Sequence, residues 1–247
     1  MVALGCAGLA VAGSSTGAGF VERPLRVHGE STRYVVWEPP GYDRSRAWPL
    51  VLVLHGTGES GRDPLAPTRV GLGPQLVTHP ERWPCLVAFP QKPSETEEWE
   101  EREAISLAVL ADVRKRWKVD PERIALTGMS QGGHGAWMLA ARHPGLWSAL
   151  APVCGYGRAR TVASRIGDVP VWAFHGLRDD VVLPKDTRDI VAELLRLRAA
   201  AGIDTSTVKL TLYAEANHDS WDSAYAEPEL PGWLLAQRRR PRQGEGR

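Results

Sequence analysis

The stretch "ALTGMSQGGHGAW" (125–137) sets one serine among four glycines where an apolar run gives way to a helical one. Its centre, Gly128-Met129-Ser130-Gln131-Gly132, has the pattern GxSxG. A serine at the apex of a sharp strand-to-helix turn has a strained backbone, and bulk two positions to either side would collide, so the turn calls for glycine at both 128 and 132. Such a turn lifts the hydroxyl clear of the sheet and sets it at the positive end of the following helix. Alone, the pattern fits either a nucleophile or a plain Gly/Ser turn.

The surroundings place that turn in a repeating pattern. "LVLVLHG" (50–56) is an unbroken aliphatic run, as suits a strand covered on both faces of a parallel sheet. Runs of the same kind recur at 85–91, 123–130, 148–155, 169–176 and 208–218. Helical patterns separate most of them. Ile105, Val109, Val113 and Trp117 fall on one helical face, Ile190, Leu194 and Leu197 on another, and Gly202 is placed to end the second helix. Residues 136–141 are apolar all round, as in a helix buried against a sheet. "FVERPLRVHG" (20–29) and "TRYVVWEPP" (32–40), with "ES" between them, read as an antiparallel hairpin at the sheet edge. The expected fold is one α/β domain over residues 20–237, a mostly parallel doubly wound sheet with that hairpin at its edge.

In such folds chemistry collects beyond the carboxyl ends of the strands. Four of these ends carry reactive or glycine-rich residues: His55-Gly56-Thr57-Gly58, Ser130, Asp179 with Asp180, and His218. A serine needs a base within hydrogen-bond reach and a third group to orient that base. Serine, acid, histidine is also the chain order of α/β hydrolases, which makes Ser130 the candidate nucleophile and His218 the candidate base. Either aspartate could be the acid; Asp179, three residues past Gly176, is preferred, and Asp180 is read as a turn residue. The backbone N–H groups of Thr57 and Gln131 are the candidate oxyanion donors, with glycines at 56, 58 and 61 allowing close approach. Trp99 and Trp221 are candidate pocket residues, with core packing as the alternative for each, and His134, four residues after Ser130, is a third candidate. The other histidines, His28, His79, His143 and His175, are given surface or loop places for the most part, and none has a metal-binding spacing.

Taken together, the chain resembles an α/β-hydrolase-fold serine esterase. The branch in question groups polyhydroxybutyrate-depolymerase-like and feruloyl-esterase-like proteins with peptidases related to prolyl oligopeptidase. The resemblance spans roughly residues 20–236. "PLVLVLHGTGESG" is similar to the branch's oxyanion segment, "GMSQGGHGAW" to its nucleophile elbow, "FHGLRDDVV" to its acid loop and "NHDSW" to its histidine loop. Two segments depart from it: "VVLP" stands where the branch has "VVP", and "QKPSETEEWEE" (91–101) replaces a glycine-containing segment. The resemblance implies hydrolysis of small or polymer-borne carboxylic esters through an acyl-enzyme, with no cofactor and no metal. A serine peptidase of the prolyl-oligopeptidase type is the alternative within enzymes, and a catalytically silent binding homologue the alternative outside them.

Composition limits partners. In 247 residues, 30 Lys and Arg nearly balance 29 Asp and Glu, and a net charge of +1 offers nucleic acid no general attraction. Residues 1–19 carry no charged side chain and resemble a truncated export or lipoprotein segment, so an exported protein is expected, with a cytoplasmic one as the alternative. No other segment approaches the roughly 18–20 apolar residues needed to span a bilayer. Residues 238–247 read as a basic frayed tail. Cys6, Cys85 and Cys154 form no metal motif, and the latter two read as buried free thiols.

Overall fold

The computed structural model describes residues 18–239. Most of the apolar N-terminal segment, Cys6 and residues 240–247 of the basic tail lie outside the described residues. Eight strands form one sheet: β1 (Gly19–Val27), β2 (Glu30–Glu38), β3 (Trp48–Leu54), β4 (Leu86–Pro90), β5 (Val119–Met129), β6 (Ala149–Val153), β7 (Val171–Gly176) and β8 (Val208–Tyr213). Their spatial order is β1-β2-β4-β3-β5-β6-β7-β8. The pairs β1/β2 and β2/β4 are antiparallel and every later pair is parallel. The expected architecture is therefore the one found.

Among the described residues, seven α-helices cover the sheet: α1 (Leu72–Thr78), α2 (Glu103–Arg116), α3 (Gln131–Arg142), α4 (Ala159–Ile166), α5 (Pro184–Ala200), α6 (Trp221–Ala226) and α7 (Leu230–Ala236). Alternation along β3 shows how they are shared between two layers. Leu50, Leu52 and Leu54 face a core built with α2, α3, α4 and α5, through residues such as Val109, Ala140, Val162 and Ile190. Val51 and Val53 face the opposite core with α1, α6 and α7, through Leu72, Tyr225 and Leu234. Each fully buried aliphatic contributes about 1.5–3 kcal/mol against exposure, so the central strands anchor both layers.

Two local details differ from the reading of the sequence. The hairpin turns at His28 and Gly29, not at Glu30 and Ser31, which already pair within β2. Both turn residues have positive φ, 50° and 90°, as the two-residue turns that match strand twist require. The start of the basic tail is also held: the Arg238 guanidinium donates to Glu122, and the Arg239 N–H to the Glu122 carbonyl. Gly202, with φ 67°, ends α5 as expected. Among the described residues no helix is long and apolar enough to cross a membrane.

Candidate active site

Ser130 sits between β5 and α3 with φ 55° and ψ −120°. A non-glycine residue there costs of order 1–3 kcal/mol, so its surroundings must impose it. They do so by close approach. A Cβ at Gly128 would lie 2.2 Å from the Gly132 carbonyl oxygen, and one at Gly132 only 2.0 Å from that of Leu54. The glycines thus let α3 start against the end of β3, which is tighter than mutual crowding of two side chains. The Ser130 N–H donates to the Val153 carbonyl at 3.0 Å and lies 3.3 Å from the Cys154 sulfur. Burial pushes the Cys154 thiol up to about 12, so a neutral group lies beneath the serine.

Three strand ends then meet. The Ser130 Oγ lies 2.8 Å from His218 Nε2, and His218 Nδ1 lies 2.8 Å from Asp179 Oδ2. Hydrogen bonds between the loops after β7 and β8 create this proximity: the Leu177 N–H donates to the Tyr213 carbonyl and the Arg178 N–H to that of Ala216. Asp179 is wholly buried, and Asp180 is exposed. Asp179 Oδ1 accepts the N–H groups of Val181 and Val182 at 3.0 and 2.9 Å, which bends the loop around the carboxylate. Asp179, not Asp180, is therefore the aspartate joined to His218.

The loop after β3 flanks the serine from the other side. A Cβ at Gly56 would come within 3.6 Å of the Ser130 Cβ, so the loop that continues into Thr57 starts beside the serine, and Gln131 opens α3 immediately after Ser130. Segment 91–99, where the chain departs from the resembled pattern, clamps this loop. Gln91 donates to the carbonyls of Glu59 and Asp63, and the Gly61 N–H to the Lys92 carbonyl. The fully buried Lys92 ammonium donates to Ser60 Oγ and the Ser94 carbonyl. Its backbone N–H donates to His55 Nε2 at 3.2 Å. Gln131 in turn donates to the Glu95 carbonyl.

The pocket candidates separate. Trp221 stays beside the site, its ring edge-to-face with His218 at 5.4 Å. Trp99 does not: it is 1 % exposed and its indole N–H donates to the His55 carbonyl, because a buried indole needs an acceptor. His134 is also buried, stacked on Tyr156 at 4.4 Å with Nδ1 on the Tyr156 carbonyl. His175, read as a surface or loop residue, lies fully buried in β7 with Nε2 3.1 Å from Asp179 Oδ2. Cys154, Asp179 and His218 are the one group among the described residues with metal-ligand atoms close together, within 4.8 Å. The Asp179 oxygens, however, already accept four N–H groups, and the Cys154 thiol, its pKa raised by burial, lies against the Ser130 N–H.

A central parallel sheet carrying a strained serine between β5 and α3, an aspartate after β7 and a histidine after β8 decides the architecture. The chain has the α/β-hydrolase fold. Over residues 79–186 it matches the model of a family described as "Putative esterase"; this stretch includes Ser130 and Asp179, while His218 lies beyond it. A solved thermostable esterase is 31 % identical with a TM-score of 0.73, covering 89 % of this chain and 63 % of that one. The chain thus spans under two thirds of that esterase. Rat S-formylglutathione hydrolase is 44 % identical over 45 residues, 17 % of this chain and 16 % of the relative. The feruloyl esterase module of Clostridium thermocellum shares the fold over 92 % of each chain, at TM-score 0.72 and 14 % identity.

Proposed function

We propose that the protein is a serine hydrolase that cleaves carboxylic esters through an acyl-enzyme. The observation that carries this reading is the continuous hydrogen-bonded path from Ser130 Oγ through both nitrogens of His218 to Asp179. The esterase family match and the esterase at 31 % identity support it and favour esters over peptides.

Each group along this path has a role in the proposed reaction. With its Nδ1–H on Asp179, His218 presents the Nε2 lone pair to the Ser130 hydroxyl and takes its proton as Oγ attacks the acyl carbon. Asp179 keeps the ring in that tautomer and stabilises the imidazolium. The N–H groups of Thr57 and Gln131 hold the oxyanion, each donor being worth about 3 kcal/mol where this has been measured. His218 then protonates the departing alcohol. In the second half it takes a proton from the water that attacks the acyl carbon and returns it to the Ser130 oxygen as the acid leaves, which restores the serine. The clamp from segment 91–99 keeps the Thr57 loop aimed before substrate arrives, so little reorganisation is needed during reaction.

The test is hydrolysis of aryl esters of graded acyl length, with acetylated and feruloylated sugars alongside, by the wild type and Ser130→Ala. Wild type is expected to turn over at least one ester and the variant none above background. An active Ser130→Ala protein would overturn the proposal.

A further inference from the structure

Asp179 is held by two histidines, and the mechanism above uses one of them. His175 occupies the penultimate position of β7 and has no exposed surface. Its Nε2 faces two acceptors, Asp179 Oδ2 at 3.1 Å and the Val182 carbonyl at 2.9 Å, so this nitrogen carries the proton. Nδ1 lies 2.8 Å from Thr187 Oγ1, which is also 2.8 Å from the Gly155 carbonyl. Burial lowers the pKa of this ring.

We propose that His175 is a positioning residue that fixes the Asp179 carboxylate in line with His218. The inference rests on the triad reading above. Val181 and Val182 hold Oδ1, but a carboxylate held at one oxygen can still pivot and carry Oδ2 away from His218. His218 itself cannot prevent this, since it stands on a loop with its side chain 20 % exposed. His175 grips the same Oδ2 from inside, on a strand paired on both sides to β6 and β8. Oδ2 thus accepts two ring N–H groups, one from the rigid sheet and one from the reacting base. The bond to Val182 also ties the loop that supplies the Oδ1 contacts, so both oxygens are set by one imidazole.

Two polar replacements separate this role from filling space. In His175→Gln the amide nitrogen reaches the place of Nε2 and can donate to Asp179 and Val182. In His175→Asn the amide reaches only toward Thr187. The Gln variant is expected to keep kcat within about threefold, while the Asn variant loses about 10- to 100-fold in kcat at nearly constant KM, the worth of a hydrogen bond to a charged group. In proton spectra the low-field His218 Nδ1–H signal is expected to be retained in Gln and displaced in Asn. Thermal melts of both variants show whether folding is intact. Equal kcat in the two variants, or an Asn variant that loses stability but keeps kcat and the low-field signal, would overturn the proposal. Ser130→Ala is assayed in parallel. If it remains active the triad reading fails; if it is inactive while His175→Asn is fully active, only the role of His175 fails.

Discussion

Replacing Asp179 by asparagine changes one atom of a carboxylate that accepts four N–H groups, and the outcome can be worked out from them. Val181 and Val182 donate to Oδ1 at 3.0 and 2.9 Å; His218 and His175 donate to Oδ2 at 2.8 and 3.1 Å. An amide has one oxygen to offer. The two backbone donors cannot change, so the oxygen stays at Oδ1 and an NH₂ group takes the place of Oδ2. His218 must then turn its Nδ1 lone pair to that NH₂ and carry its proton on Nε2, against Ser130 Oγ, where it can no longer act as a base. The same loss of tautomer in a serine protease triad lowers kcat by about 10⁴-fold, and a fall of about that size is expected here. His175 cannot adapt in the same way, because its Nε2–H also serves the Val182 carbonyl. That leaves one opposed pair in the interior, costing about 2 kcal/mol, or roughly 4–8 °C in Tm for a chain of this length. The assay is kcat on an aryl ester together with a thermal melt, with the exposed Asp180→Asn as reference, expected within about twofold of wild type. If Asp179→Asn retained a tenth of wild-type kcat, or Asp180→Asn were the more damaged, the reasoning would be refuted.

Other consequences concern stability. A Cβ at Gly132 would meet the Leu54 and His55 carbonyl oxygens at 2.0 and 2.6 Å, so Gly132→Ala is expected to cost more than about 4 kcal/mol and to remove soluble folded protein. Gly58→Ala, with nothing within 4 Å of the new methyl, is the matched control and should melt close to wild type. Burial lowers the His55 pKa from 6.5 to about 3, so the unfolded chain takes up a proton that the folded chain refuses. Its contribution is complete above pH 6.5 and is lost as pH falls toward 3, by at most about 1.4 kcal/mol per pH unit. Urea unfolding between pH 7 and 5 should therefore show stability falling with acid, with a shallower slope in His55→Gln; an unchanged slope would refute this.

What the sequence disclosed depended on whether a residue's role is written in its neighbours along the chain. Strand ends were legible because each apolar run stops at a glycine or a polar residue, and this brought Ser130, Asp179 and His218 to one rim. His175 was not legible. It lies one residue inside the end of an entirely buried strand, and its partners are a carboxylate, a carbonyl and a threonine that only the fold brings to it. Trp99 stayed open for a related reason, since an indole beside a pocket-bordering loop looks the same in sequence whether it faces substrate or donates to the His55 carbonyl. Choosing between Asp179 and Asp180 likewise required the loop's bend, set by the Val181 and Val182 N–H groups. The short helices α1, α6 and α7 are too brief to show a periodic pattern.

The central claim is that Ser130 is the nucleophile and that His218 activates it. Its most direct test is to treat the protein with a fluorophosphonate and map the adduct by peptide mass spectrometry. The account predicts one adduct, on Ser130 within tryptic peptide 124–142, absent from Ser130→Ala and formed far more slowly in His218→Ala. An adduct on another residue, or one formed at wild-type rate without His218, would contradict it.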